Sequence, residues 1–297
     1  MMSGLVAEGV RNCRRNFVIV MGLFLSKLTL AAIISVPLLV MFNSTIENSR
    51  YARVLLTDWS LDVFSELIHA RENVLVYFLV GLVFYAVVVF FFKQFMNGGI
   101  YRSFLADRRL TVHEFFGECG ARFADHVRIT LVMLVVYAFL FLIGFIVGSL
   151  VPREPFQQFG QASLYPIFLH LAVIYPFLIL GTILSDLLRL QLANQPDEPF
   201  KRQFRTAMDT FRARFVKLNG IYYLYFLPFV IMWLLIEYLA VQITGGLGNM
   251  FGVMLELILF QICSFLRTGQ SLLVPATFAR MLRVDMSVSE VIVNKDI

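Results

Sequence analysis

The sequence predicts an all-α integral membrane protein. It has six transmembrane helices, both termini in the cytoplasm, and three repeats of an in-plane amphipathic helix followed by a transmembrane hairpin. Composition, apolar runs and the distribution of basic residues predict this class. Of the 297 residues, 59% are hydrophobic and only 15% are charged, whereas a globular domain carries about 25% charged residues. Because so little polar material cannot cover a water-soluble body, the composition excludes soluble, disordered and nucleic-acid-binding proteins.

Six apolar runs are long enough to cross the bilayer, because about 20 helical residues span its ~30 Å hydrocarbon core. Lys27 interrupts the first run and Glu256 the sixth, but the flanks of both charges are long and apolar. The predicted spans are Phe17–Phe42, Val74–Phe92, Ile129–Val151, Leu164–Leu188, Leu218–Ile243 and Met250–Leu266, the last running on to Phe278.

Basic residues alternate between the two sides of these spans. The N-terminus, the second and fourth connections and the C-terminus together carry 20 Lys and Arg residues, and the opposite connections carry 4. The positive-inside rule therefore places both termini in the cytoplasm, in a bacterial inner membrane. The net charge of +5 then reflects topology and attraction to anionic lipid head groups, and we expect no nucleic-acid partner.

Three cytoplasmic segments share one pattern, in which apolar side chains occupy one helical face and arginines the other. A shift of 198 residues superposes the N-terminal segment on Lys201–Lys217, and a shift of 88 relates Thr111–Val127 to it. The predicted units are 1–110, 111–198 and 199–286, followed by a tail at 287–297. The residues expected to meet lipid are Phe115, Phe116, Phe123, Phe204, Phe211 and Phe215, with Arg205 and Arg212 on the basic face.

Two capping boxes mark predicted helix starts. Thr111 with Glu114, and Ser287 with Glu290, each place a hydroxyl at the N-cap and a glutamate three residues later, which satisfies the first free backbone N–H groups of a helix. The second box predicts that a fourth in-plane helix begins in the C-terminal tail.

One stretch carries a family resemblance. It comprises Gly98-Gly99-Ile100-Tyr101, then Asp107-Arg108-Arg109-Leu110-Thr111, Phe115-Phe116 and Arg122-Phe123. This pattern resembles a diffuse group of bacterial polytopic membrane proteins related to the membrane domain of glycerophosphodiester phosphodiesterases. The resemblance implies the membrane architecture and no activity. The 297 residues contain no counterpart of the soluble phosphodiesterase domain, so its chemistry is not carried over.

Charges within the predicted spans are candidate functional residues, since each costs roughly 2.5–3.5 kcal/mol to insert. Lys27 and Glu256 are predicted at similar depths, close enough to pair. Such a pair is either a structural link between two helices or a binding or coupling site in a polar cavity. The remaining intramembrane polar candidates are Glu237, Arg267, Gln270 and His170.

Further polar residues cluster at the inner ends of the second and sixth spans. If the two faces meet, they form a wet vestibule; alternatively, they lie in the head-group layer. They are Lys93, Gln94 and Asn97 in one helix, and Arg267, Thr268, Gln270 and Ser271 in the other.

No catalytic motif occurs in the sequence, which contains no HExxH, GxSxG or P-loop lysine pattern. The three cysteines show no metal-ligand spacing. We therefore predict a protein that is not an enzyme and has no cofactor or metal. The favoured function is an accessory or scaffold component with membrane-protein partners or further copies of itself. The alternative is a transporter, or the permease subunit of an ATP-driven exporter, with a Lys27/Glu256 site and a separate ATPase.

Overall fold

The computed structural model describes residues 2–46, 72–106, 108–150, 165–247 and 250–293, and no strand occurs among them. Short and long helices alternate along much of the chain. The helices are α1 (Met2–Arg15), α2 (Phe17–Ile46), α3 (Glu72–Leu105), α4 (Val112–Ala121), α5 (Phe123–Ser149), α6 (Tyr165–Asn194), α7 (Phe200–Ala213), α8 (Phe215–Leu247) and α9 (Met250–Val293).

The helices bear out the predicted membrane class in its general form. Within the described part of the chain, five segments are long and apolar enough to cross a membrane, and a sixth is counted if the bent pair formed by α1 and α2 is one span. The five are Leu79–Leu105, Phe123–Ser149, His170–Asn194, Phe215–Ala240 and Leu257–Arg283.

Three short helices each end one residue before a long apolar helix begins. The intervening residues are Asn16, Arg122 and Arg214. This corrects the predicted in-plane helices, which ran on to Val127 and Lys217. Arg122 and Arg214 leave helical geometry, with φ of −110° and −126°, so the regular helix is interrupted just before the phenylalanines that begin α5 and α8.

The predicted fourth in-plane helix does not form within the described residues. Ser287 lies inside α9, which continues without a break to Val293. Because the preceding helix already supplies backbone acceptors to this segment, the Ser287 hydroxyl does not mark a helix start. By contrast, the box at Thr111 is confirmed, since the Thr111 hydroxyl accepts from the Glu114 N–H and the Glu114 carboxylate accepts from the Thr111 N–H.

The chain divides into two compact units. One comprises Met21–Lys93, and the other comprises Met1–Val20 with Gln94–Ile297. In the first unit, large apolar side chains such as Val83 and Phe84 are exposed, as expected for helices that face lipid or a membrane partner.

Glycines allow the closest helix contacts in the larger unit. A Cβ atom at Gly144 would lie 3.0 Å from the Ile174 Cα atom, and one at Gly148 would lie 3.3 Å from His170 Cδ2. The Gly144-x-x-x-Gly148 motif is thus the surface of α5 that packs on α6, as small residues four apart do in membrane helices. In the same unit, α1 packs on α9, α8 on α9, and α7 on α6.

Candidate functional site

A set of polar side chains is buried where the C-terminal part of α3, the start of α5 and the end of α6 meet. Asp186 and Arg189 lie three residues apart on α6, so they share one helical face. His126 and Thr130 share a face of α5 in the same way, and Tyr101 approaches from α3. Four of these five side chains are buried, and Thr130 is half-buried. We refer to this set as the polar network.

Tyr101 and the charged pair of α6 form the centre of the polar network. The Tyr101 hydroxyl donates to Asp186 Oδ1 at 2.5 Å. The Arg189 guanidinium lies 6.0 Å from the centre of the Tyr101 ring and donates through Nη2 to Thr130 Oγ1 at 3.0 Å. A hydrogen bond to a charged group is shorter and stronger than one between neutral groups, so these contacts tie α3 and α5 to α6.

The network continues along α3 through the amides of Gln94 and Asn97. From the sequence, these residues were predicted either to line a vestibule or to lie in the head-group layer. Thr130 Oγ1 donates to Gln94 Oε1 at 2.7 Å, and Asn97 Nδ2 donates to the same oxygen at 3.1 Å. Both amides are buried. The predicted vestibule placed them opposite the polar face of the sixth span, but Gln94 is bonded to Thr130 of α5, and Asn97 is bonded to Gln94 within α3. Thr268, on that opposite face, is buried and donates to its own helix at Ser264 O.

His126 is the remaining member of the network. Its ring stacks on the Tyr101 ring with 6.0 Å between centres. Its Nδ1 atom is buried and has no hydrogen-bond partner among the described residues, although buried polar atoms usually have one.

This arrangement has two chemical capacities. Opposite charges on Asp186 and Arg189 compensate one another inside apolar helices, where an isolated charge would be costly. The same pair, with Tyr101 and His126, also offers groups that can hold a proton within a membrane span. Among the described residues, no group of three His, Cys, Asp or Glu side chains is placed to bind a metal ion.

The residues singled out from the sequence are placed elsewhere. Lys27 is exposed on α2, and the side chain of Glu256 lies outside the described part of the structure, so their pairing stays a prediction. Arg267 is exposed, Glu237 and Gln270 are half-buried, and His170 packs beside Phe145 and Gly148.

Some of the phenylalanines predicted to face lipid pack against other residues, and others remain exposed. Phe115 lies against Gly99, where a Cβ atom would be 2.6 Å from its ring. Phe116 stacks on Phe95 at 6.3 Å but remains partly exposed. Of the others, Phe123 also contacts Phe95, Phe204 contacts Phe200, and Phe211 contacts Phe215 across the break at Arg214. Arg205 and Arg212 are exposed, in keeping with a basic outer face.

Sequence reasoning missed the centre of the polar network although a signal was present. Asp186 falls inside the predicted fourth span, and Arg189 follows three residues later. An acid and a base at that spacing share a helical face and could have been identified as a buried pair. Their partner Tyr101 belongs to the resemblance motif, but only the packing of α3 on α6 brings it to Asp186.

Comparison of the chain with protein-family models, with curated proteins and with solved structures finds no match.

Proposed function

We propose that the protein is a non-catalytic component of a bacterial inner-membrane assembly, acting as an accessory or scaffold subunit. The observation that carries this proposal is the polar network. In it, Tyr101 of α3 donates a hydrogen bond to Asp186 of α6, and Arg189 of α6 donates one to Thr130 of α5. Such a network fixes the relative positions of three helices. A fixed bundle with exposed apolar faces is suited to holding partner proteins.

The proposed placement in the membrane follows from charge. Both termini and the short helices α1, α4 and α7 lie on the cytoplasmic side, where anionic lipids attract the arginines of α1 and α7 and those that flank α4. Three successive units, each with a short helix, a one-residue break and a long apolar helix, support the proposed repeat. The shift of 198 relates α1 to α7 over their whole lengths, Met2–Arg15 and Phe200–Ala213. Membership of the phosphodiesterase-related membrane group belongs to the same proposal.

Site-specific photo-crosslinking in native membranes tests the scaffold role. A benzophenone amino acid replaces Phe84, whose side chain is 64% exposed, and in a matched control it replaces Phe104, which is 1% exposed. We expect a discrete adduct with a membrane protein from Phe84 and none from Phe104. Lipid adducts alone, from Phe84 and from further exposed span positions such as Phe139, would reject the proposal.

A second candidate function is that of a permease. The buried Asp186 and Arg189 favour it, because buried ionisable residues in membrane helices mark many ion and substrate pathways. It predicts a co-purifying ATPase or a measurable flux in proteoliposomes that Asp186→Asn abolishes while the protein still folds. The scaffold predicts that Asp186→Asn lowers stability and leaves partner crosslinking at Phe84 intact at permissive temperature.

A further inference from the structure

Arg267 is a charged residue near the middle of a segment that is long and apolar enough to cross a membrane. That segment of α9 is Leu257–Arg283, so Arg267 lies ten residues after its start and sixteen before its end. At 1.5 Å per residue, the Arg267 Cα atom is about 5 Å from the midpoint of the segment. A charge at such a depth requires either water or an opposite charge beside it.

The Arg267 side chain is exposed, and two neighbours on α9 share its face. Ser264 and Ser271 lie three residues before it and four residues after it, at the spacing that places side chains on one side of a helix. Both serines are exposed. Tyr175 of α6 is 38% exposed and lies close enough to Arg267 for the two groups to interact electrostatically. We call the surface formed by these four residues the Arg267 face.

The predicted spans contain few carboxylates that could neutralise Arg267. The whole sequence places three carboxylates within these spans, on Asp186, Glu237 and Glu256. Asp186 belongs to the polar network, where it accepts from Tyr101. Glu256 lies eleven residues before Arg267 on the same helix, which corresponds to about 16 Å along the helix axis.

Glu237 on α8 is the third of these carboxylates. It lies ten residues before the end of α8, whereas Arg267 lies seventeen residues after the start of α9. The two helices pack together and are separated by two residues of sequence, so Glu237 and Arg267 differ by seven residues, or about 10 Å, along the helix axes. Both side chains interact electrostatically with Cys263, but among the described residues no ion pair involves Arg267. The carboxylates of the spans thus leave the Arg267 face open to a further counter-charge.

The depth of Arg267 indicates which kind of group supplies that counter-charge. Lipid phosphates lie outside the ~30 Å hydrocarbon core, and therefore at least about 15 Å from its midpoint. A carboxylate on another membrane-spanning helix can lie at the depth of Arg267 itself. Ionisable side chains within membranes pair with one another, and small residues such as serine allow a second helix to approach closely. The Arg267 face is therefore better suited to a helix than to a lipid head group.

We propose that the Arg267 face binds a transmembrane helix of a partner protein, and that this helix carries an aspartate or a glutamate within the membrane. The proposal rests on the scaffold role proposed above and names the chemistry of the partner. The Arg267 guanidinium donates hydrogen bonds to the partner's carboxylate, and bonds between two charged groups are among the strongest in proteins. Each charge then compensates the other inside the bilayer.

Site-specific photo-crosslinking in native membranes tests this proposal. A benzophenone amino acid replaces Ser271, and in a matched control it replaces Ile262, which is 47% exposed and lies about 140° around α9 from Arg267. We expect Ser271 to give an adduct whose partner peptide, mapped by mass spectrometry, contains Asp or Glu within a membrane span. Arg267→Gln should weaken this adduct by roughly tenfold, since a hydrogen bond between charged groups is lost. Arg267→Lys, which keeps the charge, should retain most of it, and adducts from Ile262 should not change.

Exchange of the two charges separates binding from folding. Arg267→Glu should abolish the adduct from Ser271, because it places two carboxylates opposite each other. Replacing the mapped carboxylate of the partner with arginine in the same cells should restore the adduct. A residue that only stabilises the fold of its own chain would show no such restoration, so this test remains decisive if Arg267→Gln lowers the amount of folded protein.

Several outcomes would overturn the proposal. They are adducts from Ser271 with lipid only, with a second copy of this chain, or with a partner peptide that has no carboxylate in a membrane span. An adduct that Arg267→Gln leaves unchanged would also overturn it. Crosslinking from Phe84 reports on the scaffold role separately, so a protein adduct from Phe84 with none from Ser271 rejects the Arg267 face alone.

Discussion

The contact between α3 and α4 depends on Gly98, and Gly98→Ala is the most direct perturbation of it. A Cβ atom at this position would lie 2.5 Å from Glu118 O and 3.0 Å from Cys119 Cα. The nearer distance is roughly 1 Å below the 3.4 Å at which ordinary contact begins. Both opposing atoms belong to the backbone of α4, so rotation of a side chain cannot relieve the overlap.

The expected magnitude follows from this geometry. Forcing one methyl group into a close-packed contact costs about 1–3 kcal/mol. If this cost is released when α4 separates from α3, the separated state becomes about 5- to 150-fold more populated. The higher helix propensity of alanine does not reduce this effect, because α3 remains helical in both states.

Cys119 provides the assay because it lies within the same contact. It is fully buried, and its Sγ atom is 3.9 Å from Met96 O. Burial raises the pKa of the Cys119 thiol to about 11, so the thiol is protonated near neutral pH, and the thiolate is the reactive form. The rate of Cys119 alkylation by N-ethylmaleimide, measured by mass spectrometry of its peptide, therefore reports separation of α4 from α3.

Gly117→Ala is the matched control. It makes the same substitution within α4, and its Cβ atom would have no neighbour within 4 Å. We expect Gly98→Ala to speed Cys119 alkylation by the predicted factor and Gly117→Ala to leave it unchanged or slightly slower. Equal rates in Gly98→Ala and the wild type, or equal acceleration in both variants, would refute the close-packing argument.

Two further predictions concern hydrogen bonds. Tyr101→Phe removes the donor to Asp186 and should destabilise the protein by about 1.5–3 kcal/mol. The control is Tyr137→Phe, which removes the hydrogen bond from the Tyr137 hydroxyl to Thr182 Oγ1 at 3.2 Å; because both groups are neutral, it should cost only about 0.5–1.5 kcal/mol. Equal changes in unfolding temperature would contradict this. The hydrogen bond from Arg108, followed by those from Thr111, lowers the pKa of Glu114 from 4.5 to about 2. The ionised Glu114 carboxylate therefore contributes fully to the stability of the start of α4 above pH 4.5, and this contribution is lost as pH falls towards 2. Hydrogen exchange at the first amides of α4, corrected for intrinsic rates, should accelerate in that window in the wild type and show no such pH step in Glu114→Gln.

Local signals predicted much of the helix pattern. The capping box at Thr111 is correct because its hydrogen bonds join residues three apart in sequence, so no distant contact is needed to form it. The matching box at Ser287 failed because an N-cap residue itself has non-helical backbone angles, whereas Ser287 lies inside α9. The printed sequence shows the hydroxyl and the glutamate, but it does not show whether the helix before them ends.

The candidate sites depend on contacts between distant residues. Lys27 was a candidate because a charge within an apolar run can be recognised without a structure. The pairing of Tyr101 with Asp186, by contrast, joins residues 85 positions apart. The ion pair between Arg280 and Glu8 likewise joins the last helix to α1, across 272 positions of sequence.

The sequence by itself determined that the chain is helical and apolar enough for several membrane spans, and it located the short helices that precede three of the long apolar helices. Hydrophobicity and helical periodicity are properties of consecutive residues, so a linear reading suffices for them. Only the tertiary structure decided that Asp186 meets Tyr101 and that Arg189 meets Thr130. Those outcomes depend on which helix faces touch. Gly98 and Gly144 allow two helix backbones to approach closely, and a glycine has no side chain from which that contact could be predicted.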